Sequence, residues 1–193
     1  MGGAIMAVLI NASTSAGLQI TSDTSGLIAF QTNGTQFNPL LTAGTSQAST
    51  SGTSIDFTSI PSWVKRITVM FDGVSTSGTS LVIIQLGSGS FTATGYLGSA
   101  ASVSGTPTGV NNNTGFAIDN AASATAVRYG NAIFTNITGN TWVGSGIFGR
   151  SDVTNTHLFG GKIALSGALD RVRITTVNGT DTFDAGTINI LYE

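Results

Sequence analysis

Trp63-Val64-Lys65-Arg66-Ile67-Thr68-Val69-Met70-Phe71 is the stretch that decides the fold class. Trp63, Ile67, Val69 and Phe71 fall on one face of an extended chain, with Lys65 as the single charged interruption. A period of two marks a strand with one side against a core. Pro61-Ser62 leads into it, and Asp72-Gly73 reads as the turn that follows. Working outward, Leu81-Val82-Ile83-Ile84-Gln85-Leu86 is apolar on both faces, as expected of a strand covered on both sides. Ser54-Ile55-Asp56-Phe57 alternates, and further strands are expected over 91–97, 128–136, 141–150, 157–165, 170–177 and 187–193. Their spacing is about ten residues, the rhythm of a sandwich or barrel. Gly98 to Asn113 reads as a long Ser/Gly/Asn-rich loop with its tip at Val110-Asn111-Asn112-Asn113 exposed. Asn178-Gly179 reads as a turn between the last two strands.

Composition supports the same class. The 193 residues are 40% apolar, enough for one main core, but only 8% charged, against about a quarter in ordinary soluble domains. Glu193 is the only glutamate, and Lys65 and Lys162 are the only lysines. The polar face that a soluble helix requires therefore cannot be built several times over. Recurring apolar alternation argues against reading the Ser, Thr and Gly as low-complexity disorder. The expected fold is all-β: an antiparallel β-sandwich or jelly roll over 46–193, preceded by a short strand-rich arm over 1–45. The boundary is placed in the small, polar run between Leu41 and Gly52. The arm's short strands, including Gly17-Leu18-Gln19-Ile20-Thr21 and Gly26-Leu27-Ile28-Ala29-Phe30, cannot bury a core of their own. They are expected to pair with other copies or to lie on a larger body. Leu18, Ile20, Leu27 and Phe30 are the candidate contacts between subunits.

A net charge of -2 with scattered cations offers no basic patch, so nucleic acid is not an expected partner. No apolar run approaches the roughly 18 residues of a membrane helix, so no membrane insertion is expected. Met1 to Ile10 has no basic residue ahead of it and reads as a strand, not as a leader. With no cysteine there is neither disulfide nor thiolate chemistry.

The stretch from Ser54 through Pro61, Trp63, Lys65 and Arg66 to Phe71-Asp72-Gly73-Val74-Ser75 resembles the C-terminal domain shared by many tailed-phage and prophage fibre or virion structural proteins. The ending Phe183-Asp184-Ala185-Gly186-Thr187-Ile188-Asn189-Ile190-Leu191-Tyr192-Glu193 looks like theirs. The opening from Gly17 to Gly34 is similar to the short repeat near their fibre stems. The resemblance implies a virion-surface location and a homotrimer with other virion proteins, of tail or capsid, as partners. It also implies possible contact with a host surface glycan or receptor. The chain departs from long fibres in having almost no shaft. A short tail fibre or spike-like component is expected, with a capsid decoration or head-fibre protein as the alternative and a glycan depolymerase as the outsider.

Reactive side chains do not form a recognisable set. His157, the single histidine, sits at a strand start with no Gly-x-Ser-x-Gly elbow in the chain to supply a nucleophile. Asp152, Asp170, Asp181 and Asp184 occupy turn contexts, where aspartate serves local backbone hydrogen bonds. Asn178 with Asp181 and Asp184 lacks the spacing and the glutamate of a calcium loop. No catalytic residue, metal ligand or cofactor is expected, and the chain is read as a non-enzyme. Aromatic side chains are the better binding candidates, and Tyr129, Trp142 and Tyr96 are singled out for the surface. Trp63 and Trp142 also fall within expected strands, where burial is the competing reading.

Overall fold

The structure is a computed structural model describing residues 30–32, 35–37, 41–103 and 106–193. The chain divides into two compact units, Met1–Pro39 and Leu40–Glu193. In the first, β1 (Phe30–Thr32) and β2 (Thr35–Phe37) pair antiparallel with Phe30 opposite Phe37. Leu18, Ile20, Leu27 and the strand expected at Met1 to Ile10 lie outside the described residues.

The second unit is all-β, two antiparallel sheets packed as a sandwich. The larger runs, in spatial order, β10 (Thr108–Asn111), β9 (Leu97–Val103), β14 (Thr156–Ala164), β13 (Thr141–Arg150), β12 (Arg128–Thr138), β6 (Arg66–Thr76), β16 (Phe183–Tyr192) and β3 (Thr42–Ala43), with β4 (Gln47–Ala48) also on β16. The smaller is β11 (Phe116–Ala117), β7 (Val82–Ser88), β15 (Arg171–Thr176) and β5 (Ser54–Phe57), with β8 (Ser90–Phe91) on β7. Alternation builds the core as expected: Ile67, Val69 and Phe71 of β6 are buried and face Ile55, Phe57, Ile84, Leu86, Val172 and Ile174 of the small sheet in one apolar cluster. β7 is buried along Val82–Gly87. Its outward Gln85 is covered by the chain near Thr114, whose carbonyl accepts a hydrogen bond from Gln85 Nε2 at 2.8 Å.

Aromatic rings fill the centre. Phe71 and Phe148 meet edge to face at 5.1 Å, Phe116 lies 5.0 Å from Phe134 and 5.9 Å from Phe159, and Tyr96 meets Phe116 at 5.1 Å. The rings fit because glycines of neighbouring strands lie under them. Gly144 is paired with Phe134, and a Cβ on Gly144 would stand 2.5 Å from that ring.

Four expectations are corrected. Asp72-Gly73 is not a turn: β6 continues through it to Thr76, because Gly73 takes φ 68° and Gly186 φ 94° where the pairing with β16 shifts register. The segment expected to be a loop from Gly98 contains β9 and β10, paired antiparallel from Ser99↔Asn111 to Ser102↔Thr108; Ser and Ala suit a strand whose inner face has little room. The polar run 41–52 pairs with β16, since its small residues permit close approach: Ser49 N donates to Gly186 O at 2.9 Å and its Oγ to Ala185 O at 2.8 Å. Trp63 precedes the strand, in the turn after Pro61, and is 38% exposed against Tyr192. Among the described residues no helix is long and apolar enough to cross a membrane.

Candidate functional site

Two of the three aromatic surface candidates are in the interior. Trp142 and Tyr96 are each 2% exposed. Trp142 is on the inward phase of β13. Tyr96 is pulled in by its hydroxyl, which accepts from Leu86 N at 2.8 Å and donates to Thr92 O at 2.9 Å. Burial without charge compensation pushes its phenol far above its ordinary pKa. Tyr129 is at the surface, 48% exposed.

Tyr129 belongs to a larger feature, the outer face of the nine-stranded sheet. Register places Met70, Asn131, Ile147, Leu158 and Ala101 in one row across β6, β12, β13, β14 and β9. The next row is Thr68, Ile133, Ser145, Gly160 and Ser99, and beyond the first lie Tyr129, Gly149, Thr156 and Val103. Ile147 is 63% exposed, and Ile133, Leu158, Val103 and Tyr129 are all exposed as well. Charge is confined to Arg66, Asp72 and Lys162 at the margins of these rows, while Ser145, Gly149 and Gly160 keep the middle low. The solvent face of a sheet in a monomer is ordinarily polar, and a contiguous apolar patch rimmed by charge marks an interaction surface. Its signal lay in the sequence as the second, outward set of apolar residues on β12 to β14.

A second cluster is buried. Arg128 and Asp119 are 0% and 1% exposed, and Arg128 Nε donates to Asp119 Oδ2 at 2.8 Å. Arg150 Nη1 stands 3.9 Å from the same oxygen, donates to Ala121 O, and the guanidinium holds Asp152 through bonds of 3.0 and 2.7 Å. That pairing keeps the Asp152 carboxyl below its usual range. Asn120 Nδ2 donates to Thr108 O and Oγ1, so its Oδ1 is the acceptor for His157 Nδ1–H at 3.1 Å. His157 Nε2 is then a lone pair. It, Asp119 Oδ1 and Arg128 Nη2 are three of the four buried side-chain polar atoms without a hydrogen bond among the described residues. The cluster ties the loop 118–127 to the β9–β10 hairpin and to the ends of β12, β13 and β14. Asp119 and Arg128 were missed in the sequence; a carboxylate directly after the apolar Phe116-Ala117-Ile118 was the available signal.

Burial drives the His157 pKa below its ordinary value of 6.5, with Arg150 and Arg128 adding to the shift and Asp119 and Asp152 opposing it. A depressed histidine pKa means that the unfolded chain takes up the proton first, so this contribution is complete above pH 6.5 and is lost as pH falls from there. The urea midpoint is expected to drop between pH 7 and pH 5, and His157→Gln is expected to flatten that interval. Acid loss below about pH 4 belongs to Asp152 and Asp170, whose folded values are lowered by Arg150 and Arg171, and is expected to persist in the variant.

Asp170, Asp181 and Asp184 are each held by hydrogen bonds, largely from segments distant in sequence, and Asp184 lies within β16 and not in the turn expected for it. Asp170 pairs with Arg171 at 2.7 Å and accepts from Gly89 N at 3.1 Å. Asp181 accepts from Ser80 N at 2.9 Å and from Asn178 Nδ2 at 2.7 Å, and Asp184 accepts from Ser75 Oγ. No group of three or more potential metal ligands occurs among the described residues. No family model, curated protein or solved structure matches the chain.

Proposed function

We propose that this chain is a non-enzymatic structural protein of a phage virion surface, a short trimeric tail-fibre or spike-like component that serves host attachment and assembles through the outer face of its large sheet. The observation that carries the reading is that face: uncharged rows in which the exposed Ile147, Leu158 and Ile133 stand among small and neutral polar residues. Water contact with such a surface is unfavourable in proportion to its area, and three sister copies that turn these rows towards a common three-fold axis remove it. The likeness of residues 54–75 and 183–193 to phage virion domains supplies the setting. A capsid decoration would use the same face against the capsid, and the short arm is compatible with it.

Light scattering of the full chain is expected to give three times the 19.5 kDa chain mass. Ile147→Asp with Leu158→Asp is expected to give single chains that still unfold in one cooperative transition, at a midpoint below wild type by the contribution that assembly made and independent of protein concentration. A wild-type protein that is a single chain, or a variant that remains assembled, overturns the assembly face. Gold-labelled antibody on phage particles distinguishes tail from capsid, and its absence from both removes the virion reading.

A further inference from the structure

The loop of residues 118–127 is fastened to the ends of β12, β13 and β14 by few groups. Its buried apolar residues are Ile118 and Ala126. Asn120 Nδ2 donates to Thr108 O at 3.1 Å, to Thr108 Oγ1 at 2.6 Å and to Ser102 Oγ at 3.4 Å, so one side chain ties the loop to the β9–β10 hairpin. Ala121 O accepts from Arg150, Val127 N donates to Ser151 Oγ at 3.1 Å, and Ser151 N to Val127 O at 3.0 Å. A segment with so few apolar contacts opens at a lower free energy than the strands behind it.

His157 is the titratable group that this loop covers. It is 2% exposed, gives its Nδ1–H to Asn120 Oδ1 at 3.1 Å, and keeps Nε2 as an orphaned lone pair. The charges facing it are already matched. Arg128 of β12 and Arg150 of β13 act on it as cations, and Asp119 of the loop and Asp152 beyond β13 as anions. Its partners on the adjacent strands, Phe148 and Ser102, carry no charge. Two positive groups against two negative ones leave no counter-ion for a third cation. A proton on Nε2 gives the buried set a net positive charge. It also creates a donor for which the orphaned acceptor of the cluster, Asp119 Oδ1, belongs to the carboxylate already paired with Arg128. A buried charge without its own partner is costly, and water removes that cost.

We propose that His157 is a proton-operated latch: protonation of its imidazole drives loop 118–127 off the strand ends and frees Thr108 of the β9–β10 hairpin from Asn120, while the rest of the sandwich stays folded. Opening breaks the Asp119–Arg128 pair but restores the hydration of both ions, two effects that oppose each other. In the open form a solvated imidazole takes the proton at the ordinary histidine value of 6.5, whereas burial holds the closed form below it. The loop is therefore closed above pH 6.5, and its open population rises as pH falls from there. Asp152, kept below the usual carboxylate range by Arg150, stays charged over this interval. The latch depends only on groups of this chain and is independent of the virion reading.

Amide hydrogen exchange of the full chain, read by mass spectrometry at pH 7.5 and pH 5.5 and corrected for the intrinsic pH dependence of exchange, follows the open population segment by segment. Peptides covering 99–103 and 118–127 are expected to lose protection by about threefold or more at the lower pH, while peptides within β7 and β15 keep theirs. His157→Gln, which stays neutral at both pH values, is expected to lose the acid response. Asn120→Ala, at a half-buried position, is expected to make the loop exchange at pH 7.5 as fast as wild type does at pH 5.5. Because the chain has one histidine, its imidazole titration by NMR is unambiguous; the midpoint is expected below 6.5 in wild type and closer to 6.5 in Asn120→Ala. No acid response in wild type, an equal loss of protection in β7 and β15, or a response that persists in His157→Gln overturns the latch.

Discussion

Replacing Arg128 by leucine is expected to lower the unfolding free energy by about 3–5 kcal/mol, the cost of breaking a buried ion pair from one side. Arg128 is fully buried, bonded to Asp119 at 2.8 Å and to the Ala126 carbonyl at 3.3 Å. Its loss leaves a carboxylate that is 1% exposed facing only Arg150, at 3.9 Å. Arg150 cannot simply turn to it, being committed to Asp152 and to Ala121 O. Replacing both partners, Arg128→Leu with Asp119→Leu, removes the unpaired charge, and the double variant is expected to be more stable than the sum of the single losses by about 2 kcal/mol or more. Arg173→Leu is the contrast: its bond to Asp56 is equally short, 2.7 Å, but both side chains are about a third exposed. Water replaces much of that interaction, so the expected loss is about 1 kcal/mol or less. Urea unfolding at pH 7 reads all four proteins. A loss below about 1 kcal/mol for Arg128→Leu would show that the Asp119 carboxylate does not stay buried and unpaired in the variant.

The difference between these two pairs also explains which parts of the molecule were readable in the sequence. Strands were legible wherever one face is buried, because alternation is a local signal; the expected 141–150 coincides with β13 and the expected buried run with β7. Bulges were not legible. Asp72-Gly73 has the chemistry of a turn, and only the pairing of β6 with β16 and β12 shows that Gly73 serves a kink within a continuous strand. Nor could residue type decide the fate of Tyr96, whose burial depends on two backbone partners at Leu86 and Thr92. The Asp119 cluster joins residues from five segments between Ser102 and His157, a juxtaposition that topology creates. The outer apolar face was written in the same alternation as the core, but a strand with apolar residues on both phases does not say which phase meets solvent.

Glycines in the large sheet mislead in another way, and Gly144→Val tests it. As part of Gly144-Ser145-Gly146 the position reads as a flexible interruption of a strand. Strand propensity would then make valine an improvement of up to about 1 kcal/mol. Packing predicts the opposite sign. Gly144 is buried opposite Phe134, and the first carbon of a side chain there would lie 2.5 Å from two atoms of the Phe134 ring, with Phe116 at 3.4 Å behind. Neither ring has space to retreat, since Phe134 also lies 5.0 Å from Phe116 and 6.2 Å from Phe159, centre to centre. Overpacking of a dense core costs about 1–3 kcal/mol and exceeds the propensity gain. Gly144→Val is therefore expected to destabilise by about 2 kcal/mol in urea unfolding at unchanged slope. Phe134→Leu alone is expected to be destabilising through lost volume, yet in the Gly144→Val background it vacates the space that valine needs, so the two changes are expected to offset each other in part. Gly149 carries the control: a Cβ there meets nothing within 4 Å. Made in the single-chain Ile147→Asp, Leu158→Asp background, where the outer face of the sheet meets only water, Gly149→Val is expected to be neutral or stabilising in the same assay, and a Gly144→Val change that behaves like it there would mean that the Phe134 ring does not rest on the Gly144 backbone.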